Sequence, residues 1–211
     1  MAQYAKTAEV RRGILDACLS AFGDAGFHGA SMAEIARRAG ISHTGLLHHF
    51  PRKEALLTAV LDLQDQRSAD YLLAHSALEP DADPLDLLRG MADSLVDRDR
   101  RPGIVELTAV LTGEATVPTH PAHAHFAERY RNVRSFMTRL LERLRAEGRL
   151  ASPLPPATLA AVVIAVLDGL HTQWLYDRDG IDVDAAVQSF LATIVPELAA
   201  TPQIAESSVD A

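Results

Sequence analysis

Apolar side chains recur three and four positions apart over most of the chain, and the strict alternation of a half-buried strand persists nowhere. Val10, Ile14, Ala17, Cys18, Ala21, Phe22 and Ala25 mark one face of a first helix that should end near Gly26. Ser31 and Glu34 have the S-x-x-E spacing of a capping box, in which the hydroxyl accepts an orphan N–H and the carboxylate reaches back. They open a short second helix, Met32 to Ala39, with Gly40 as its left-handed terminator. Ser42 caps a third short helix to about Phe50, which Pro51 stops because the residue before proline avoids αR. A long fourth helix runs from Lys53 to about Ala77, and Asp83 and Pro84 cap and start the fifth. Breaks at Arg101-Pro102-Gly103 and at TVPTHP set off the sixth helix and the seventh, which ends at Gly148. The eighth spans about Ala157 to Tyr176, the ninth about Val183 to Ala199, and the polar tail after Thr201-Pro202 should fray. The pattern predicts an all-α chain of about nine helices, with a three-helix head over 1–52 and a helical body over 53–211 joined by helix four.

A short helix, a Gly-containing turn and a second short helix are the parts of a DNA-reading helix-turn-helix. Ile35 and Ala36 point inward from the first of the pair, Ile41 plugs the turn, and Leu46 and Phe50 face the core from the second. That leaves His43, Thr44, Leu47 and His48 on the outer face, where a recognition helix meets base edges. Charge supports this. The net charge is −8, yet residues 1–60 carry seven Lys/Arg against five Asp/Glu, so the basic end is the head and the acidic one the body.

The run SMAEIARRAGISHTGLLHHFPRKEALL resembles the tetracycline-repressor (TetR) family of bacterial regulators over about residues 7–60. The likeness rests on Ile35-Ala36, Gly40-Ile41-Ser42, Leu46, His49-Phe50 and Lys53-Glu54-Ala55-Leu56. It implies a cytoplasmic, homodimeric regulator with a helix-turn-helix DNA-binding domain and a variable ligand-binding domain, which represses until a small-molecule effector binds. Its partners would be a near-palindromic double-stranded operator and an effector of unknown identity, with no membrane and no cofactor. The expected DNA contacts are Ser42, His43, Thr44, Gly45, Leu47, His48, His49, Arg52 and Lys53, the last paired with a phosphate at a helix N-terminus. Arg38 is a second phosphate-anchor candidate, weighed against plain solvation. Two departures matter: Leu47 stands where the family usually has Tyr, and Gly45 where Thr is common. A Leu there can touch a thymine methyl.

Helix eight is apolar on nearly all faces and should be buried on all sides. Together with helix nine it predicts a four-helix dimer interface using Ala160, Ala161, Ile164, Leu167, Phe190, Leu191 and Ile194. Polar and aromatic groups inside otherwise apolar helices nominate an effector pocket: Glu106, Thr108, Thr112, Phe126, Tyr130, His171 and Trp174. Asp168 fits either the interface or the pocket.

Other signals carry less. His120, His123, His125 and Glu128 have the composition of a metal site, but their spacing does not place them on one helical face. Asp177, Asp179, Asp182 and Asp184 lack the glycine position and final Glu of a calcium loop, and Asp182 serves better as a helix cap. There is no nucleophile elbow, HExxH, paired CxxC or phosphate loop to suggest an enzyme. No uninterrupted apolar run approaches the ~18 residues of a membrane span; the longest, Leu159 to Leu167, stops at Asp168. Cys18 is the single cysteine, in keeping with a reducing compartment.

Overall fold

The structure is a computed structural model that describes residues 2–74, 82–96 and 103–200, with side chains over 7–67, 82–91 and 103–199. Its described elements are nine α-helices and one 3₁₀ turn: α1 (Ala2–Gly29), α2 (Met32–Arg38), α3 (His43–His49), α4 (Lys53–Ala74), α5 (Pro84–Val96), α6 (Ile104–Glu114), α7 (His123–Ala146), α8 (Pro156–Tyr176), α9 (Val183–Ile194) and the turn Pro196–Ala200. The expected tail after Thr201-Pro202 lies outside the described residues.

The caps form largely as the sequence predicts. Ser31 Oγ accepts from Glu34 N at 3.1 Å, Ser42 Oγ from Gly45 N at 3.0 Å, and Asp182 Oδ1 from Ala185 N at 3.0 Å. Gly40 and Gly148 take positive φ values of 68° and 73° just past their helices. Three expectations are corrected. The return half of the capping box is not made, because the Glu34 carboxylate is engaged by Arg37 and Arg38 instead. Helix nine stops at Ile194, since Pro196 has no N–H to continue the ladder and a 3₁₀ turn follows. Helix α8 is not buried on all sides: one side packs on α6, α7 and α9, while Ala157, Ala161, Val162 and Ala165 are exposed. This helix is also long and apolar enough, by length and composition, to cross a membrane, which a count of uninterrupted apolar residues overlooks.

Two buried clusters hold the chain together. The first joins Ile14, Cys18 and Phe22 of α1, Ile35 and Leu46 of the short helices, Leu56, Leu57 and Val60 of α4, and Leu107 and Leu111 of α6. The second joins Leu88 of α5, Met137, Leu141 and Leu144 of α7, Leu159 and Val163 of α8, and Val187 and Leu191 of α9. The head therefore shares a core with α6, and the boundary between the clusters falls within the body.

Helix α1 kinks at Gly26 (φ 69°, ψ 178°), where the sequence had placed its end, and continues for one more turn. A Cβ at Gly26 would come within 2.1 Å of Glu114 Oε1, and Glu114 Oε2 accepts the Phe27 N–H at 2.7 Å. The conformation requires glycine here, and a side chain would also push the Glu114 carboxylate off the Phe27 N–H. Three residues earlier, a Cβ at Gly23 would stand 3.2 Å from Glu106 Cβ and 3.3 Å from Leu107 N, so α1 and α6 approach closely. A paired substitution tests this. Gly26→Ala should destabilise by about 1–3 kcal/mol through strain at positive φ, and thermal unfolding should fall by roughly 2–4 °C per kcal/mol. Gly13→Ala, at an exposed α1 position with open space around it, should stabilise by about 0.5–1 kcal/mol. Equal melting temperatures for the two variants would refute the account of the kink.

Candidate nucleic-acid interface and sensor site

The head presents α3 to solvent because its inner side is fully used. Leu46 (α3) and Ile35 (α2) are completely buried, Phe50 nearly so, and Arg11 stacks on the Phe50 ring with its guanidinium 4.3 Å from the centroid. Outward stand Ser42, His43, Thr44, Leu47 and His48, all exposed, with Gly45 and His49 half-covered. Leu47 is 39% exposed, an apolar side chain on an otherwise polar face. The His48 and His49 rings meet edge-on at 5.7 Å. A polar face with one wholly apolar side chain has the donors and apolar contact that major-groove readout uses.

Two of the basic candidates have internal partners. Lys53 Nζ donates to the Ala30 carbonyl at 2.9 Å and to His28 at 3.4 Å, and it sits 4.5 Å from the Phe27 ring centroid. It thus ties the end of α1 to the start of α4, so the ammonium expected at a phosphate is engaged here by two carbonyls. The physical reason is that carbonyls left over at a helix C-terminus attract a cation. Arg38 donates to Glu34, Ser20 and Asp24, at 2.5 Å to the last, so it too is an internal clamp. These pairs hold the Glu34 carboxyl well below its ordinary range, at about 2, chiefly through the Arg37 hydrogen bond and then that from Arg38. Arg52 is exposed, in the turn between α3 and α4.

The sensor candidates assemble along a seam between α6 and α8, with α4 and α7 flanking it. At one end Tyr130 Oη donates to Asp168 Oδ2 at 2.7 Å. Burial, then the hydrogen bond to Asp168, raises that phenol to about 12, so it remains a proton donor. The Thr112 hydroxyl is buried on the same side and makes no well-formed hydrogen bond. At the other end Arg178 Nη2 donates to Glu106 Oε1 at 2.6 Å, and the same guanidinium lies 4.4 Å from the Trp174 ring centroid. Thr108 accepts from Gln64 Nε2 of α4 at 2.8 Å. Phe126 is instead buried in the core shared with α1 and α4, and His171 is half-buried on α8. Six residues separate Glu106 from Thr112, and six separate Asp168 from Trp174. At 1.5 Å per residue the two ends of the seam lie about 9 Å apart on antiparallel helices.

The sequence reading missed Gln64 and Arg178. Gln64 had a legible signal, a polar residue among Val60, Leu61 and Leu63. Arg178 had none, since its direction depends on the turn after α8. The histidine cluster is divided among different partners. His120 is buried, its Nδ1 accepts from Ala122 N at 3.1 Å and its Nε2 faces Glu114 at 3.6 Å. His123 Nδ1 bonds the Ala115 carbonyl at 2.7 Å, and His125 faces Asp65 at 3.7 Å. Burial lowers the His120 pKa against the opposing pull of Glu114.

Most of the residues expected at a dimer interface are covered within the protomer itself. Ala160, Ile164, Leu167, Leu191 and Ile194 are buried within the protomer, and Phe190 is half-covered. Only Ala161 is exposed, and the uncovered stripe beside it comprises Ala157, Val162 and Ala165. The reason is helical phase: the most apolar residues of α8 turn toward α7 and α9, and smaller ones remain outside.

Two outcomes are expected from the head. Lys53→Met should lower the melting temperature by a few degrees, as loss of charge-assisted bonds worth about 1.5–3 kcal/mol is discounted for partial exposure, and leave the salt dependence of DNA binding unchanged. Arg52→Ala should flatten that salt slope by about one unit per half-site. A Lys53 variant that flattens the slope without losing stability would reverse these assignments.

Comparison with known proteins agrees with this geometry. The family model described as "Bacterial regulatory proteins, tetR family" matches residues 14–60, and that described as "BetI-type transcriptional repressor, C-terminal" matches residues 84–199. The chain is 30% identical over 166 residues to the transcriptional regulator BetI of Yersinia pestis, covering 78% of this chain and 79% of that protein. It is 24% identical to AcrR of Shigella flexneri, covering 89% and 88% respectively. Among solved structures, a putative transcriptional regulator from Saccharomonospora viridis in complex with choline aligns with a TM-score of 0.74 at 21% identity, over 89% of this chain and 98% of that one. AibR in complex with isovaleryl coenzyme A and operator DNA aligns with a TM-score of 0.69 at 24% identity, over the same shares. The matches to the head and to most of the body place this chain in the TetR family as a ligand-responsive, DNA-binding transcriptional regulator.

Proposed function

We propose that the protein is a cytoplasmic homodimeric repressor that grips a near-palindromic operator through Ser42, His43, Thr44, Gly45, Leu47, His48, His49 and Arg52, and is released when an effector enters the α6–α8 seam. The observation that carries this reading is the close seating of α1 on α6. Glu106 borders the seam on one side and the Gly23 backbone on the other, and Glu114 at the end of the same helix holds Phe27. A ligand that shifts α6 therefore moves the helix on which the reading unit is built. Helix α4 adds a second connection through Gln64 to Thr108 and Asp65 to Arg129.

The effector class we favour is a small organic cation with an apolar body. Its support is the pairing of Glu106 and Asp168 with the Trp174 and Tyr130 rings, a combination that suits cation–π recognition. The choline complex of the Saccharomonospora relative points the same way. Dimerisation rests on the exposed small-residue stripe of α8, where Val162 is 37% exposed and Ala157, Ala161 and Ala165 permit close approach. Repeated about a two-fold axis, such a stripe suits an interface of about 2,000 Å².

Two measurements test the proposal. Val162→Glu should give a monomer by sedimentation with intact helicity, and operator affinity should collapse because both half-sites need simultaneous contact. A dimeric variant that still binds would remove α8 from the interface. Titrating choline with and without the protein's own upstream DNA should show mutual weakening by about 5- to 150-fold, the range for couplings of about 1–3 kcal/mol. Equal choline affinities in the two titrations would sink the release mechanism.

A further inference from the structure

Arg178 occupies a place that a ligand would also suit. Its guanidinium stacks on the Trp174 ring at 4.4 Å and bonds Glu106 Oε1 at 2.6 Å, the two groups at this end of the seam that attract a cation. It reaches them from the turn between α8 and α9, where Asp177 Oδ1 accepts from Gly180 N at 2.9 Å and Asp182 caps the next helix. A Cβ at Gly180 would come within 2.2 Å of the Asp177 carboxylate and so force it off the Gly180 N–H.

From this arrangement we propose that Arg178 is a built-in occupant of the cation site, a tethered guanidinium that an organic cation must displace from Trp174 and Glu106. The inference rests on the effector reading above and adds a gate to it. Displacement is feasible because the contact is only partly shielded: the Arg178 side chain is 54% exposed and that of Glu106 26%. An ion pair so open to water is weak, and a ligand cation recovers both attractive partners when it takes the place of Arg178. Glu106 adjoins Gly23 of α1, so the exchange occurs against the helix that carries the head. While Arg178 is seated, the acid and the ring are already satisfied, which raises the ligand concentration needed for a response. Smaller inorganic ions lack the apolar surface to replace a stacked guanidinium, so the gate also favours organic cations over sodium or potassium.

Trp174 is the only tryptophan in the chain, so its fluorescence reports the site directly. The experiment titrates tetramethylammonium and choline chlorides into the full chain, with sodium chloride at matched ionic strength as the blank. Four proteins are compared: wild type, Arg178→Met, Arg178→Lys and Glu106→Gln. If Arg178 fills the site about nine-tenths of the time, its removal in Arg178→Met should tighten binding about tenfold. Arg178→Lys should stay near wild type, and Glu106→Gln should weaken binding severalfold. Gly180→Ala, which loosens the turn while keeping Arg178, should tighten binding in the same direction and serves if Arg178→Met misfolds by circular dichroism. Unchanged or weaker cation binding in both Arg178→Met and Gly180→Ala overturns the gate, even if the wild type binds cations. No cation binding by any of the proteins overturns both the gate and the effector class. Operator binding, measured on the same samples, shows independently whether the DNA-binding reading stands.

Discussion

The arrangement depends on one docking contact, the end of α1 held against the end of α6. Glu114 occupies the space that a side chain at Gly26 would need and takes the Phe27 N–H. The kink turns the last residues of α1 so that the carbonyls of His28 and Ala30 face Lys53, which fixes the start of α4. Phe27 lies under that ammonium and against the His120 ring, and His28 also meets His120 edge-on. One carboxylate and one ammonium, joined through residues 27–30 at the end of α1 and just past it, thus set the position of the reading head relative to the body. The buried core follows the same line, running from Ile14 through Phe22 to Leu107 and Leu111 without a gap between head and α6.

Much of this was legible in the sequence where local physics decides the outcome. Ser31, Ser42, Asp182, Gly40 and Gly148 act as caps because their effect extends over only a few residues. The inward set Ile35, Ala36, Leu46 and Phe50 follows from periodicity, and the outward set His43, Thr44, Leu47 and His48 is its complement. The long-range choices were not legible. Lys53 could serve a phosphate or two carbonyls equally well by sequence, and the fold selects the carbonyls by bringing residue 30 to it. Glu34 had a backbone N–H within reach, but two arginines compete for the same carboxylate. For α8, composition established that the helix is apolar, and only its phase against α7 and α9 decides which stripe remains uncovered.

The same distinction separates the two ends of the chain functionally. The head is built from capped, short-range elements whose outward face is set by the inward one, so its chemistry can be read from spacing. The seam is built by residues from α4, α6, α7, α8 and the turn after α8, separated by up to 114 positions between Gln64 and Arg178. Each was an ordinary polar residue in its own segment. Their meaning arises only where antiparallel α6 and α8 set Thr112 beside Tyr130 and Glu106 beside Arg178.

This placement also bears on how a signal would travel. A long α4 acting as a lever requires the far end of that helix to meet the ligand, about 30 Å from its start for 22 residues. The α1–α6 contact needs no such reach. Glu106 touches the seam and α1 at once, and Glu114, eight residues along the same helix, holds the kink. A rotation or slide of α6 changes both contacts together, because a packed helix moves as a unit and its close contact at Gly23 leaves little free space to absorb the motion. On the proposed release mechanism Lys53 would carry the displacement of α1 into α4, with the two helices acting in series: α6 would displace α1, and α1 would reorient the start of α4 and the reading helix attached to it.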